Sequence, residues 1–164
     1  MKKWSIFIVL VCLILLSLSF GETVPLLIQG KEVKGENLDG LVVYIQKIQK
    51  VEELPLYSDF KYLPEGVFYV INLFLWNKTQ KEILITANNF NLIDDDGKSH
   101  PVSAFGSIYY TFKDYNTFLR NYLKPGELKE GYLVFEIHPS NVPYKLNIID
   151  IPEKGKNYYI SLNP

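Results

Sequence analysis

The stretch that decides the fold is Val67-Phe68-Tyr69-Val70-Ile71-Asn72-Leu73-Phe74-Leu75-Trp76, in which every residue but Asn72 is apolar or aromatic. Alternate side chains of an extended strand point to opposite faces of its sheet, so both faces of this strand are apolar. Such a strand is typical of the centre of a sheet that is covered on both sides, or of a sheet whose outer face meets a partner.

Shorter strands separated by turn residues are predicted on either side of it. They are 41–48, 83–86, 90–93, a return strand that begins at 102–103, 132–137, 144–149 and 158–162, with 52–64 as a long loop. Asp95-Asp96-Gly97-Lys98 predicts a hairpin, and Lys124-Pro125-Gly126-Glu127 a type II turn, because glycine adopts positive φ without strain. The pattern predicts an all-β, antiparallel β-sandwich of about seven to nine strands.

One segment has helical rather than strand periodicity. Its apolar side chains recur at steps of four and three residues, at Ile108, Phe112, Tyr115, Leu119 and Tyr122. This spacing predicts a short helix within 112–122, in a connection between strands, with Phe112, Tyr115, Leu119 and Tyr122 docked on the sandwich. Thr111 is the expected N-cap.

The N-terminus has the layout of a secretory signal peptide. Lys2 and Lys3 precede an apolar run over 4–16, and small residues follow at Ser17, Ser19 and Gly21. We expect cleavage after Gly21 or after Ser19. The alternatives are an uncleaved anchor over residues 4–20, which is short for a span of about 20 residues, and a lipoprotein modified at Cys12. Cys12 lies within the apolar run and follows a valine rather than a small residue.

Charge and composition limit the kinds of partner that the protein can have. The 164 residues contain 17 basic and 18 acidic side chains, and loss of residues 1–21 removes two lysines and no acid, which leaves 15 basic and 18 acidic. This balance disfavours nucleic acid as a partner. The predicted organisation is a signal peptide over 1–21, a linker or small hairpin over 22–40, and one sandwich domain over 41–164.

Three sequence blocks carry a resemblance to a known family. The first is the strand 67–76 followed by Asn77-Lys78-Thr79, the second is 90–98, and the third joins 123–127 to 131–136. In this order and spacing they resemble a bacterial family of exported proteins and lipoproteins with a domain of unknown function, similar to the mycobacterial immunoprotective extracellular protein. The resemblance covers roughly residues 40–163. It implies an immunoglobulin-like fold and an extracytoplasmic location, and it implies no catalytic residues.

Candidate sites for chemistry are few. Asp94-Asp95-Asp96-Gly97 contains three carboxylates but lacks the later glutamate of a calcium loop, and a solvated hairpin turn is the more typical reading. His100 and His138 each precede a proline, and we expect both at strand ends on the surface. Asn77-Lys78-Thr79 matches a glycosylation sequon, but it is also a typical turn. We predict no catalytic residue, no metal site and no cofactor.

Aromatic residues supply the one candidate interaction surface. The segment 105–122 contains seven aromatic side chains, more than a short cover over the sandwich needs to bury. We predict that at least two of Tyr109, Tyr110 and Phe118 are substantially exposed, close to Phe74 and Trp76 on the outer face of the central strand. Exposed aromatic surface binds ligands and partner proteins well.

The function that these features favour is an exported, non-enzymatic binding module, acting in the cell envelope or outside the cell on an unknown protein or small ligand. The alternatives are an envelope hydrolase that uses Asp94–Asp96 and His100, and a structural or assembly accessory protein. Membrane contact is expected only through residues 4–20, and only if they are retained.

Export gives the first testable prediction. N-terminal sequencing of the protein recovered from outside the cytoplasm should give a chain that begins at Glu22 or Phe20. An intact Met1 in the membrane fraction would instead show that residues 4–20 act as an anchor.

Overall fold

The fold was described from a computed structural model, which describes residues 23–28, 31–57, 60–62, 65–114 and 119–162. The predicted signal peptide lies outside the described residues, as do Tyr115 and Phe118.

The described residues form thirteen strands, one α-helix and a short 3₁₀ turn. The strands are β1 (Thr23–Ile28), β2 (Lys31–Leu38), β3 (Leu41–Val51), β4 (Leu54–Tyr57), β5 (Phe60–Tyr62), β6 (Val67–Asn77), β7 (Ile83–Ile85), β8 (Phe90–Asp94), β9 (Ser99–Pro101), β10 (Asn121–Leu123), β11 (Leu128–Ile137), β12 (Pro143–Ile149) and β13 (Asn157–Ser161). The 3₁₀ turn is Ala87–Asn89, and the helix α1 is Ala104–Asp114.

Nine of these strands form two antiparallel sheets. The five-stranded sheet has the order β1-β2-β3-β6-β11, and the four-stranded sheet has the order β13-β12-β8-β9. Two small ribbons, β10-β7 and β4-β5, complete the strand pairing in the part of the chain that is described. The prediction of an all-β, immunoglobulin-like antiparallel sandwich with one short helix is confirmed.

Strand β6 occupies the centre of the larger sheet, between β3 and β11. Its inward side chains, Ile71, Leu73 and Leu75, are fully buried against the four-stranded sheet, where Phe90 and Leu146 belong to the same core. Burial of such side chains contributes roughly 1.5–3 kcal/mol each to stability. The described residues contain no cysteine, so this burial is the main source of their stability.

The outer face of β6 is covered in part by α1. Phe68 and Val70 of β6 and Val134 of β11 form a second buried cluster, and Tyr109 and Tyr110 of α1 pack against it. The helix lies close to the sheet at Gly106, where an added Cβ would stand 2.4 Å from a methyl group of Val134. The doubly apolar pattern of β6 is therefore explained by cover on both sides.

The predicted helix over 112–122 is wrong in position. The helix ends at Asp114, Arg120 has a left-handed φ of 61°, and Asn121–Leu123 form a strand that pairs with β7. Ser103, and not the predicted Thr111, caps the start of the helix, because its hydroxyl accepts a hydrogen bond from the Gly106 amide at 3.2 Å. The regular apolar spacing ran across a helix, a connection and a strand, so its period did not belong to one element.

Three further segments differ from the sequence predictions or refine them. The predicted loop 52–64 contains the ribbon β4-β5, and the return strand after the Asp-Gly turn is Ser99–Pro101 rather than a strand that begins at 102–103. Within 22–40, β1 pairs with β2 as a hairpin, and β2 pairs with β3. The five-stranded sheet therefore extends ahead of Leu41.

Candidate functional site

Asn77, at the end of β6, is a fully buried amide that joins three parts of the chain. Its Nδ2 donates to the carbonyl oxygens of Lys81 at 2.7 Å and Leu123 at 2.8 Å. Its Oδ1 accepts from the backbone amide of Thr79 at 2.9 Å and from the Thr79 hydroxyl at 2.7 Å. Both amide hydrogens are used inside the protein, so this sequon is a structural turn in the folded chain.

The backbone of Asn77 joins the first and third sequence blocks. Its amide donates to the Glu127 carbonyl at 3.0 Å, and its carbonyl accepts from the Gly126 amide at 2.7 Å. Gly126 has a φ of 78°, and the Glu127 amide donates to Lys124, as the predicted type II turn requires. The Trp76 indole also donates to the Gly126 carbonyl, at 3.2 Å.

Asp94, in the second block, forms a similar junction at the end of β8, where the Asp-Gly hairpin begins. Its carboxylate is 0% exposed and accepts from the Lys98 amide at 2.8 Å, His100 Nε2 at 2.8 Å and Asn141 Nδ2 at 2.9 Å. Burial alone would raise the pKa of Asp94, but the hydrogen bonds from Asn141, His100 and the Lys98 amide outweigh it and lower the pKa to about 2.

The predictions for this loop are therefore corrected in two respects. His100 is 8% exposed rather than on the surface, and Asp94 is a buried ion that is hydrogen-bonded rather than a solvated acid. Asp95 and Asp96 are exposed, and His138 is exposed as expected, with its Nδ1 2.8 Å from the Ser140 hydroxyl. No group of His, Cys, Asp and Glu side chains suited to a metal ion occurs among the described residues.

The predicted aromatic surface is packed more tightly than expected. Tyr109 and Tyr110 are half-buried, and the Tyr110 ring stacks on Tyr132 with centroids 5.2 Å apart. Tyr109 and Tyr110 are therefore less exposed than predicted, because both pack against the cluster of Phe68, Val70 and Val134, and Phe118 lies outside the described residues.

Phe74 and Trp76 do lie on that outer face, and both are half-buried. Lys78 Nζ stands 5.1 Å from the Trp76 ring centroid, a cation–π distance, and the indole nitrogen is already hydrogen-bonded. The Trp76 ring therefore has partners within the chain.

A groove opens instead at one end of the sandwich, with a volume of about 630 Å³. It is lined by Asp39, residues 79–84, Thr86, Asn89 and residues 150–153. These residues come from the β2–β3 turn, the β6–β7 connection, β7, the 3₁₀ turn with the residue before it and the β12–β13 connection. Loops gathered at the end of a rigid sandwich are a common place for binding sites.

Hydrogen bonds hold each wall of the groove in place. The amide of Asn77 positions the β6–β7 connection through Lys81, and the Lys78 amide donates to the Gly40 carbonyl at 2.7 Å. Asn89 donates to the Ile149 carbonyl at 2.9 Å, and the Asp150 carboxylate accepts from the Gly155 amide at 2.7 Å. The groove is therefore preorganised, which reduces the entropic cost of binding a ligand.

Asp39 joins the β2–β3 turn to β13. Its carboxylate accepts from the Tyr158 hydroxyl at 2.7 Å and from Lys156 Nζ at 2.9 Å, and these hydrogen bonds lower the pKa of Asp39. Burial and the hydrogen bond to Asp39 raise the pKa of Tyr158 to about 12. Lys156 also contacts Glu153, at 2.6 Å. All these charges lie at the surface, where each ion pair contributes little to stability.

An exposed apolar pair adjoins the groove. Leu84 of β7 and Tyr122 of β10 are directly opposite one another in the ribbon, and they are 43% and 58% exposed. Tyr122 was predicted to dock on the sandwich, and this is wrong because it lies on a strand rather than on the buried side of a helix. The sequence identifies these loops but gives no signal that they meet at one end.

Comparison with known proteins places the chain among β-sandwich proteins. A family model described as "Domain of unknown function (DUF4352)" matches residues 30–158. None of the curated proteins compared with the chain matches it. No helix among the described residues is long and apolar enough to cross a membrane.

Several solved structures are similar to this chain. A conserved hypothetical protein of Bacillus anthracis is 15% identical, with a TM-score of 0.56 over 88% of this chain and 99% of that one. The yjhA protein of Bacillus subtilis is 12% identical, with a TM-score of 0.56 over 79% and 96%. The secreted protein MPT63 of Mycobacterium tuberculosis is 10% identical, with a TM-score of 0.47 over 85% and 92%. The two Bacillus proteins show that the chain shares their fold, and at these identities they show nothing further.

The Asp94 junction predicts a specific acid response. Because the folded pKa of Asp94 lies below its ordinary value of 3.8, its stabilising effect is complete above about pH 4–5 and is lost as the pH falls toward 2. Asp94→Asn should lower the free energy of unfolding at pH 7 by about 1–3 kcal/mol, since a charged acceptor is lost. Urea unfolding of this variant should then show a smaller further loss between pH 4 and pH 2.5 than the wild type.

The matched control is Glu32→Gln, which removes one exposed carboxylate on β2. It should keep the wild-type stability at pH 7 and the wild-type acid response. An Asp94→Asn variant with the full wild-type loss of stability in acid would show that Asp94 is not the group responsible.

Proposed function

The chain belongs to the DUF4352 family, and from that premise we propose that it is an exported, non-enzymatic binding module whose site is the groove at the end of the sandwich. The observation that carries this proposal is the groove itself, with the exposed Leu84–Tyr122 pair beside it. A preformed concave surface that combines apolar side chains with a few polar groups is the usual form of a binding site.

The roles of the family blocks support a function without catalysis. Asn77 in the first block and Asp94 in the second are fully buried, and their polar atoms are hydrogen-bonded to other parts of the fold. The turn at Gly126 in the third block is bonded to Asn77. These residues maintain the sandwich, and the loops at its end are left to bind ligands.

The hydrolase alternative has one observation in its favour, the 2.8 Å pair of His100 and Asp94. A carboxylate that orients a histidine occurs in many hydrolases. In this protein the Asp94 carboxylate is also bonded to Lys98 and Asn141, and His100 is itself almost fully buried. Burial of both groups favours a structural role, because a catalytic group must reach its substrate.

Export is part of the same proposal. It rests on the basic residues, apolar run and small residues of the first 21 positions. A binding module outside the cytoplasm would meet its ligand in the cell envelope or the medium.

The groove proposal predicts that a double substitution of its apolar pair abolishes ligand capture without unfolding the protein. Leu84→Ser with Tyr122→Ser should leave the melting temperature within a few degrees of the wild type, because both side chains are exposed. Immobilised protein would be incubated with an extract of the cell envelope, and retained molecules identified by mass spectrometry.

The control for this capture is Tyr144→Ser with Tyr159→Ser, two exposed aromatic side chains on the four-stranded sheet. It should retain the same molecules as the wild type, whereas the Leu84/Tyr122 variant should lose them. Equal capture by all three proteins would show that the groove is not the binding site.

A further inference from the structure

We infer that the groove binds an extended cationic peptide, which lies along the unpaired edge of β7 with basic side chains on Glu82 and Asp150 and apolar ones on the Leu84–Tyr122 pair. This inference rests on the proposed function and names the chemical class of its ligand.

The charge of the groove favours a cation. Four carboxylates line it, those of Asp39, Glu82, Asp150 and Glu153, against one lysine, Lys81. Lys156 neutralises part of this charge by its contacts with Asp39 and Glu153, which leaves an excess of two carboxylates.

Glu82 and Asp150 are the carboxylates available to a ligand, and they stand on two different walls. Both are exposed, and Asp150 uses one oxygen to accept from Gly155. Two carboxylates on separate walls can each meet a lysine or arginine side chain of a bound chain.

Strand β7 favours a peptide over a small cation. Its residues Ile83 and Leu84 line the groove, and β10 is the one described strand that pairs with it. A strand paired on one edge offers main-chain donors and acceptors to an incoming extended chain, which is the β-addition mode of peptide recognition.

The exposed pair supplies a contact that a polyamine or a metal ion would not use. Leu84 and Tyr122 are opposite one another, so their side chains lie on the same face of the ribbon. A peptide that carries both basic and apolar residues can cover Leu84 and Tyr122 with its apolar side chains and meet Glu82 and Asp150 with its basic ones.

The test uses two dye-labelled peptides of equal length and measures their binding to the full folded domain by fluorescence anisotropy. The basic probe alternates lysine with valine, and the acidic probe alternates glutamate with valine. The basic probe should bind with at least about tenfold higher affinity, and raising the salt concentration should weaken it, because the ion pairs are exposed to solvent.

Two double variants of matched charge locate the site. Glu82→Gln with Asp150→Asn should weaken the basic probe about fivefold to tenfold, since each exposed pair contributes a small, roughly additive share. Glu32→Gln with Glu52→Gln removes two exposed carboxylates elsewhere and should change the affinity less than about twofold.

Each other outcome overturns a definite part of the account. Equal binding of both probes would refute a cationic ligand, and equal weakening by both double variants would refute Glu82 and Asp150 as its binding site. Displacement of the basic probe by spermidine at the affinity of the peptide itself would refute the peptide class. If the acidic probe binds and Leu84→Ser with Tyr122→Ser abolishes that binding, the charge inference fails while the proposed binding site stands. If neither probe binds and the Leu84/Tyr122 variant captures what the wild type captures, the proposed function fails as well.

Discussion

The hydrogen bonding of Asn77 is the constraint on which the rest of the structure depends. Strand β6 ends at this residue, beside the fully buried Leu75, at a point where the chain must leave the sheet and still satisfy its polar groups. The Asn77 side chain meets the carbonyls of Lys81 and Leu123, and its backbone meets the turn at Gly126. A buried carbonyl such as that of Leu123 would cost about 1–3 kcal/mol if it lost its donor.

This junction connects the core to the groove. The same amide that completes the end of β6 fixes the β6–β7 connection, and that connection forms one wall of the groove. Asp94 is the corresponding junction for the second sheet, where it joins the Asp-Gly hairpin to Asn141. The buried polar residues of the family blocks therefore maintain the scaffold, while the exposed residues of the groove supply the binding surface that we propose.

Local patterns in the sequence predicted the strands well. The apolar run of β6 and the Asp-Gly and Pro-Gly turns depend on neighbouring residues, and the structure confirms all three. The predicted helix was misplaced because Phe112 and Tyr122 fit one helical spacing although Phe112 belongs to α1 and Tyr122 to β10. Hydrogen-bond partners that are 46 and 47 residues apart, as for Asn77 with Leu123 and Asn141 with Asp94, have no local signal. The groove depends on such distant pairings, so the sequence could not predict it.

The measurement that tests the central claim most directly is the free energy of unfolding of Asn77→Ala, compared with Asn157→Ala, which removes an exposed amide from β13. The account predicts a loss of about 2–4 kcal/mol for Asn77→Ala, because the variant loses the hydrogen bonds of Asn77 Nδ2 to the Lys81 and Leu123 carbonyls and those of Oδ1 to Thr79. It predicts a change within about 0.5 kcal/mol for Asn157→Ala. A loss below about 0.5 kcal/mol for Asn77→Ala would contradict the claim that this amide holds the fold and the groove together.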